Sequence, residues 1–365
     1  MSNLIPSAVA SLFVLAAALS ASAATEPILV LRGLDAVSLA EGKEEAGREE
    51  FALTKGRFRY QFASAGNRRR FEAAPNRHGI RFDGYCMKMG PLSGRGSVER
   101  WFVHEGRIYV FASEGCRDSF KADPAAFIDV ADAPPAGGEA DRQRGRELLE
   151  RAAAGFGGAA VVDALRNVQI ETTLHYEQGG KKFEFPRVQT IGAPGQVRVE
   201  TRWGENATYG HVLTPRSAVE IEPKGSQPMA ADVREFVTRA LYRNPLAIVR
   251  SRREAGLVAV AAGRGEVAGV AVEWVKVGFK GATTTLGVEP RTGRVLQVSW
   301  RGRAPSTLGE VQMTFDDFRA LDDRLEMPFG IELAHNGKPA SQPKTVTTAV
   351  HLDVLLAADF FTKGD

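Results

Sequence analysis

The chain has 365 residues, 25% of them charged, and 47 Lys and Arg against 44 Asp and Glu give a formal net charge of +3. Charge this balanced, with both signs interspersed, argues against a nucleic-acid partner held by a basic surface. At roughly 100–200 residues per domain, the length predicts about two domains.

The first predicted element is an export signal. Residues from Leu4 to Ala21 are small and apolar, and Ala21-Ser22-Ala23 is a small-x-small site of the kind that signal peptidase cleaves. We therefore predict a cleavable signal peptide over residues 1–23, a periplasmic mature protein, and no transmembrane segment after cleavage. The alternative is an uncleaved anchor, but the segment is short and alanine-rich for a spanning helix of ~20 apolar residues.

An internal repeat follows the export signal. The segment from Phe62 to Pro75 recurs from Phe111 to Pro124, and Phe, Ala, Ser, Gly, Arg, Phe, Ala and Pro coincide without a gap. Self-similarity of this length predicts two copies of one supersecondary unit. Each copy begins with a strand rich in aromatic and β-branched residues, over 58–62 and then 107–111.

A short helix is predicted after each of these strands. Ser64 and Ser113 precede the helices as N-caps, whose side chains accept a backbone N–H. Phe71 and Phe120 are then expected in the core, and a proline four residues after each phenylalanine ends the helix.

The region from about 30 to 130 resembles the YHS domain family in its exported form. The segments that carry the resemblance are Gly33-Leu34-Asp35-Ala36-Val37, Phe62-Ala63-Ser64, Gly84-Tyr85-Cys86, the stretch from Phe111 to Phe120, and Asp123-Pro124. The resemblance implies a small strand-helix module, built of two repeated halves, over residues 28–130. Members of this family are associated with metal handling.

Cys86 and Cys116 are the only two cysteines in the sequence. Two cysteines in an exported chain favour a disulfide, with a thiolate metal site as the second interpretation. Two buried, unpaired thiols are the third alternative.

The resemblance implies a metal site at these cysteines. Cys86 with Met87 or Met89 resembles the opening motif of the family, and Cys116 matches its helix cysteine, whereas Ala112 replaces another family cysteine. Two thiolates, a thioether and the nearest imidazole, His104, would suit Cu(I) or another soft metal, because soft ligands select soft ions.

A linker is predicted over residues 131–140, where Pro134-Pro135 and Gly137-Gly138 disfavour both helix and sheet. The second domain, 141–365, opens with two predicted helices, Glu139 to Ala154 and Ala159 to Arg166. Strands then dominate, interrupted by a helical stretch from Ala230 to Arg250. The predicted strands are Gln169–Tyr176, Val197–Arg202, Val270–Phe279, Thr283–Val288, Val295–Trp300, Glu310–Phe315 and Thr345–Leu352.

Residues 145–362 resemble the outer-membrane lipoprotein-sorting (LolA-like) superfamily. The matching segments are Phe156-Gly157-Gly158, the strand at 168–176, Leu286-Gly287-Val288-Glu289, Phe315-Asp316-Asp317-Phe318-Arg319 and Met327-Pro328-Phe329-Gly330-Ile331. The resemblance implies an incomplete antiparallel β-barrel whose concave face, partly covered by helices, holds apolar ligands.

The helical stretch 230–250 is the candidate lid of this barrel. The resemblance places Phe236, Leu241, Leu246 and Ile248 as cavity-lining residues. The alternative is that the same four side chains belong to the core.

No catalytic constellation is found in the second domain, and the acidic pairs Asp316-Asp317 and Asp322-Asp323 are interpreted as a turn between strands. The sequence therefore predicts an α+β, non-catalytic, exported protein that binds an apolar or lipid-like ligand or carries lipoproteins in the cell envelope. The alternatives are a copper or other metal-binding protein and a structural protein that contacts other envelope proteins. An enzyme is the least favoured class.

Overall fold

The structure is a computed structural model that describes residues 26–205, 207–303, 307–340 and 343–362. The predicted signal peptide, residues 1–23, lies outside the described residues. Within the described ranges, no helix is both long and apolar enough to cross a bilayer.

The N-terminal region combines short strands and short helices. A sheet of order β1-β3-β2 and the hairpin β4–β5 form its two β-layers, and short 3-10 turns lie at Leu31–Gly33, Arg81–Gly84 and Pro124–Ala126. Its elements are β1 (Ile28–Leu29), α1 (Ala36–Ala40), β2 (Arg48–Lys55), β3 (Phe58–Phe62), α2 (Ala65–Ala73), α3 (Pro75–His78), β4 (Ser97–His104), β5 (Arg107–Phe111) and α4 (Glu114–Ala122).

The predicted repeat is confirmed at the level of secondary structure. Strands β3 and β5 have the predicted bounds, and each leads into a helix of the same length. Ser64 accepts the backbone N–H of Asn67, and Ser113 accepts that of Cys116, both at 3.1 Å. Phe71 and Phe120 are both buried.

The C-terminal region forms two open, seven-stranded antiparallel sheets. Sheet I has the order β11-β10-β9-β8-β7-β6-β19, and sheet II has the order β12-β13-β14-β15-β16-β17-β18. The elements are α5 (Glu139–Gly155), α6 (Ala159–Ala164), β6 (Val168–Gln178), β7 (Lys181–Ile191), β8 (Val197–Trp203), β9 (Ala207–Leu213), β10 (Ala218–Glu222), β11 (Gly225–Pro228), α7 (Ala231–Leu241), α8 (Pro245–Arg250), β12 (Val258–Val267), β13 (Val270–Phe279), β14 (Ala282–Val288), β15 (Val295–Arg303), β16 (Leu308–Leu321), β17 (Leu325–His335), β18 (Lys338–Pro339) and β19 (Lys344–Leu352).

The α+β class and the open antiparallel sheets agree with the sequence prediction, but several strands were missed. Strand β7 contains Pro186 and several charges, and β12 is rich in alanine and glycine, so neither has a strong strand pattern. β7 pairs with β8 over Arg187–Ile191, and Pro186, which has no N–H to donate, lies just outside that ladder.

The predicted turn at Asp316-Asp317 is wrong. Strand β16 continues through both residues and pairs with β17 as far as Leu321, and the turn occurs at Asp322-Asp323. The Asp317 carboxylate bonds to the Arg319 guanidinium on the same strand, so this acid is satisfied without a turn.

The two sheets form a trough around the helices. Strand β17 of sheet II packs beside β19, the edge strand of sheet I, so the sheets adjoin along one edge. Side chains from both sheets, among them Val199 and Val275, share one core cluster with Val237 of α7 and Leu246 of α8. Two sheets that meet edge to edge and face the same helices must wrap around them.

The second copy of the repeat shares this core. Phe111 and Phe120 belong to the cluster that contains the C-terminal strands, whereas Phe62 and Phe71 of the first copy form a separate cluster. The predicted linker lies against sheet II, since the Asp132 N–H donates to the Gly281 carbonyl at 2.9 Å.

Candidate functional site

The inner face of sheet I is the face that packs on the helices. Val168, Ile191, Val197 and Leu213 define it, because all are buried in the common core at one end of the sheet. Alternate residues of a strand share a face, so the rest of this face follows from the strand register.

At the opposite end, near the β6–β7 and β8–β9 hairpin tips, the inner face presents an aromatic ladder. We use this name for Tyr176, Phe183, Phe185, Trp203 and Tyr209. Phe185 stacks on Trp203 with ring centroids 4.3 Å apart, and Trp203 meets Tyr209 edge-on at 6.3 Å. Trp203 keeps 51% of its surface exposed and Tyr209 keeps 47%. An apolar surface patch that is this contiguous and this exposed is typical of an interaction site.

A polar row crosses the inner face between the ladder and the core. It consists of Arg187 and Thr201, which pair across β7 and β8, and His211 and Glu220, which pair across β9 and β10. The first three side chains are half-buried, and Glu220 is buried.

Arg187 and His211 lie among other protein groups, but part of each side chain is still accessible to solvent. Burial lowers the pKa of the Arg187 guanidinium. Burial, with the nearby charge of Arg187 as a second cause, lowers the pKa of His211 to about 3.

Glu220 connects the polar row to the N-terminal region. The Tyr85 hydroxyl donates to its carboxylate at 2.9 Å, and the Arg95 guanidinium donates to it at 2.8 Å. Arg95 also binds Asp83 and Glu222 and lies 3.8 Å from the centroid of the Tyr85 ring. Burial raises the pKa of Glu220, against the lowering effect of Arg95.

The predicted cavity-lining residues lie deeper than this site. Leu241, Leu246 and Ile248 are buried at 3%, 1% and 1% exposure in the common core, and Phe236 packs against it partly buried. They support the inner face from the helix side. The ladder and the polar row were missed from the sequence, although the alternation of Phe183, Phe185 and Arg187 was a usable signal.

Surface depressions do not provide a better candidate. A depression of about 370 Å³ is lined by Glu147, Arg151 and Arg291, and a second of about 360 Å³ lies at Leu53 and Pro75. Both are open to solvent and lie away from the inner face.

Cys86 and Cys116 are free thiols in the structure, and the disulfide between them stays a prediction. Cys86 is fully buried and forms a backbone bridge with Val110, while Cys116 lies half-buried in the first turn of α4. Burial raises the pKa of the Cys86 thiol, and the backbone N–H groups of Ala112 and Met89 partly offset this increase.

The Cu(I) or other soft-metal site predicted at Cys86, Met89, His104 and Cys116 stays a prediction. No group of three or more His, Cys, Asp and Glu side chains that could hold a metal occurs in the described part of the chain. His104 meets the Phe120 ring edge-on at 6.0 Å, and Met89 packs partly buried against the core.

No family model matches the chain, and no curated protein does either. The resemblance of residues 30–130 to the YHS family therefore stays a prediction.

Solved structures with a similar arrangement cover 60% of this chain. A DUF1329 family protein from Desulfovibrio piger is 12% identical, with 97% of its own chain covered and a TM-score of 0.43. A LolA superfamily protein from Nitrosomonas europaea is also 12% identical, with 97% covered and a TM-score of 0.42. Because both TM-scores are below 0.5, the fold is defined by the strand order given above rather than by these likenesses.

Proposed function

We propose that this protein is an exported, periplasmic binding protein that carries an apolar or acyl-bearing ligand in the trough of the C-terminal region. The observation that supports the proposal is the aromatic ladder. Its rings stack on one another on the inner face of an open sheet, yet Phe183, Trp203 and Tyr209 remain exposed whereas the neighbouring core is buried.

The position of the ladder favours a ligand over a structural role. Each buried CH₂ group of an acyl chain contributes roughly 0.8 kcal/mol, so covering these rings with a chain of several such groups is favourable. Pockets for apolar ligands combine aromatic walls with a few polar groups, and the polar row supplies such groups at one end of the ladder.

Binding of the fluorescent fatty acid cis-parinaric acid, followed by its fluorescence, tests the proposal. We expect wild-type protein to bind this probe, and Trp203→Ser and Phe185→Ser to weaken binding roughly 10- to 100-fold, because each removes a large apolar contact worth about 1.5–3 kcal/mol. The matched control is Val270→Ser, which changes a side chain of β13 that is 39% exposed and lies outside the ladder.

Wild-type protein that fails to bind cis-parinaric acid, and that yields no acyl lipid on solvent extraction after purification, would contradict the proposal. Equal weakening by Val270→Ser would show that the ladder is not the site.

A further inference from the structure

We infer that the ligand carries an anionic head group, a carboxylate or a phosphate ester, and that Arg187 binds this group inside the trough. The inference rests on the proposed function and specifies the chemical class of the ligand.

Arg187 is a cation without a partner in the part of the chain that the structure describes. Its backbone carbonyl accepts a 3.5 Å bond from the Thr172 hydroxyl, but its guanidinium has neither a carboxylate nor a carbonyl within hydrogen-bonding distance among those residues. A guanidinium carries five N–H donors, so those of Arg187 are available to a ligand that enters the trough.

Other buried arginines of this protein are paired. Arg198 bonds to Glu200 at 2.9 Å, Arg252 bonds to Asp163 at 2.7 Å, and Arg243 bonds to Asp129 at 3.3 Å. The protein thus compensates these positive charges with an acid, and that of Arg250 with the carbonyls of Leu165 and Ile191. Arg187 is the contrasting case, and it faces the open part of the trough, where a ligand can supply the missing negative charge.

Glu220, the acid of the polar row, does not pair with Arg187, although its Oε1 atom has no hydrogen-bond partner among the described residues. Glu220 is already bound by the Tyr85 hydroxyl and the Arg95 guanidinium of the N-terminal region. His211, opposite Glu220, is uncharged at neutral pH, so it adds no second positive charge but can donate a ring N–H.

The geometry also fixes the orientation of the ligand. Arg187 lies one alternate position from Phe185 on the same face of β7, with Phe183 beyond it toward the hairpin tip. A head group at Arg187 therefore places an attached acyl chain over Phe185 and Trp203, which stack at 4.3 Å. A guanidinium can bind a carboxylate or a phosphate through two parallel N–H···O hydrogen bonds.

Calorimetric binding of two ligands with equal chains tests the inference. Palmitate has the acyl chain and the carboxylate, whereas hexadecanol has the same length of chain and no charge. We expect wild-type protein to bind palmitate roughly 10- to 100-fold more tightly, since hydrogen bonds to charged groups differ from neutral ones by about that factor. Arg187→Gln should bind the two ligands equally, and Arg187→Lys should retain part of the preference.

The matched control, Arg202→Gln, changes an exposed arginine on the opposite face of β8 and should keep the full preference for palmitate.

The outcomes separate this inference from the function on which it rests. Equal affinity of wild-type protein for palmitate and hexadecanol, or an undiminished preference in Arg187→Gln, would overturn the inference and leave the proposed function standing. If wild-type protein binds neither ligand, the proposed function fails. Should Arg187→Gln not fold, the wild-type preference and its reduction in Arg187→Lys decide the matter.

Discussion

At the scale of single residues, the polar row concentrates unusual side chains on one face of sheet I. Arg187 lacks an acidic partner among the described residues, His211 is held neutral by its surroundings, and Glu220 is buried with its pKa raised. Strongly perturbed ionisable groups that line a concave surface are typical of functional sites. In this protein they lie directly beside the exposed aromatic rings.

His211 makes the folded protein sensitive to acid. Burial lowers its pKa from 6.5 to about 3, so below pH 6.5 the unfolded chain takes up a proton that the folded protein does not. The stability of the fold therefore falls as the pH falls from 6.5 toward 3, by roughly 2 kcal/mol at pH 5. We expect His211→Gln to reduce this loss in urea unfolding at pH 7 and pH 5.

Thr201→Val is the control for this prediction, because it changes a neighbouring inner-face side chain that does not titrate. If His211→Gln loses as much stability in acid as the wild-type protein does, His211 is not the source of that loss.

At the scale of elements, α5 depends on a close approach to sheet II. Its Gly145 lies in the middle of the helix, where glycine disfavours helix by about 1 kcal/mol relative to alanine. A Cβ atom at Gly145 would lie 2.5 Å from the backbone of Ala259 on β12, closer than real Cβ contacts. The helix accepts the poorer residue because it permits this packing.

Gly145→Ala should therefore destabilise the protein by about 2 kcal/mol or more, since the clash with a backbone outweighs the gain in helix propensity. Thermal unfolding measures the effect. The matched control is Gly115→Ala in α4, where the nearest atom to the added Cβ is 4.0 Å away, and we expect no loss of stability there. A stabilised Gly145→Ala variant would mean that α5 does not pack as closely as described.

At the scale of the whole molecule, the N-terminal region is fastened to the trough by buried ion pairs. Arg95 joins Asp83 of its own region to Glu220 and Glu222 of β10, with contacts of 2.7–2.9 Å. Arg303 of β15 donates to the carbonyls of Met87 and Phe127 from the other side. Together with the shared core, these contacts predict that the two regions unfold together.

Arg95→Met tests this arrangement. The substitution leaves the buried Glu220 without its cation, whereas Asp83 and Glu222 keep their ion pairs with Arg57. Breaking a buried ion pair on one side costs about 3–5 kcal/mol, so we expect a single unfolding transition at lower denaturant concentration at pH 7. The loss should be smaller at pH 5, because burial raises the pKa of Glu220 and protonation removes its unpaired charge.

Arg146→Met is the control, since this arginine is exposed and its ion pair is with the exposed Glu139. We expect it to change stability by less than about 0.5 kcal/mol. Two separate transitions in wild-type protein would contradict the shared core.

The local structure of this protein could be predicted from its sequence. The internal repeat predicted β3 and β5 with their observed bounds. This was possible because the serine N-cap and the phenylalanine of each copy depend on interactions within a few residues. The predicted strand at Val270–Phe279 is likewise confirmed, because alternation is a local property. The weakly patterned strands β7 and β12 could not be predicted, because pairing with neighbours rather than their own residues makes them strands.

The tertiary structure alone decided where the site lies. Sequence separation does not reveal that Arg187 of β7, His211 of β9 and Tyr85 of the N-terminal region converge, because strand order and register arise from long-range pairing. Packing also decided that Leu241, Leu246 and Ile248 are core residues, and it left both cysteines as free thiols. Short-range patterns thus determined the elements, whereas the burial and charge compensation that define a site depend on which elements meet.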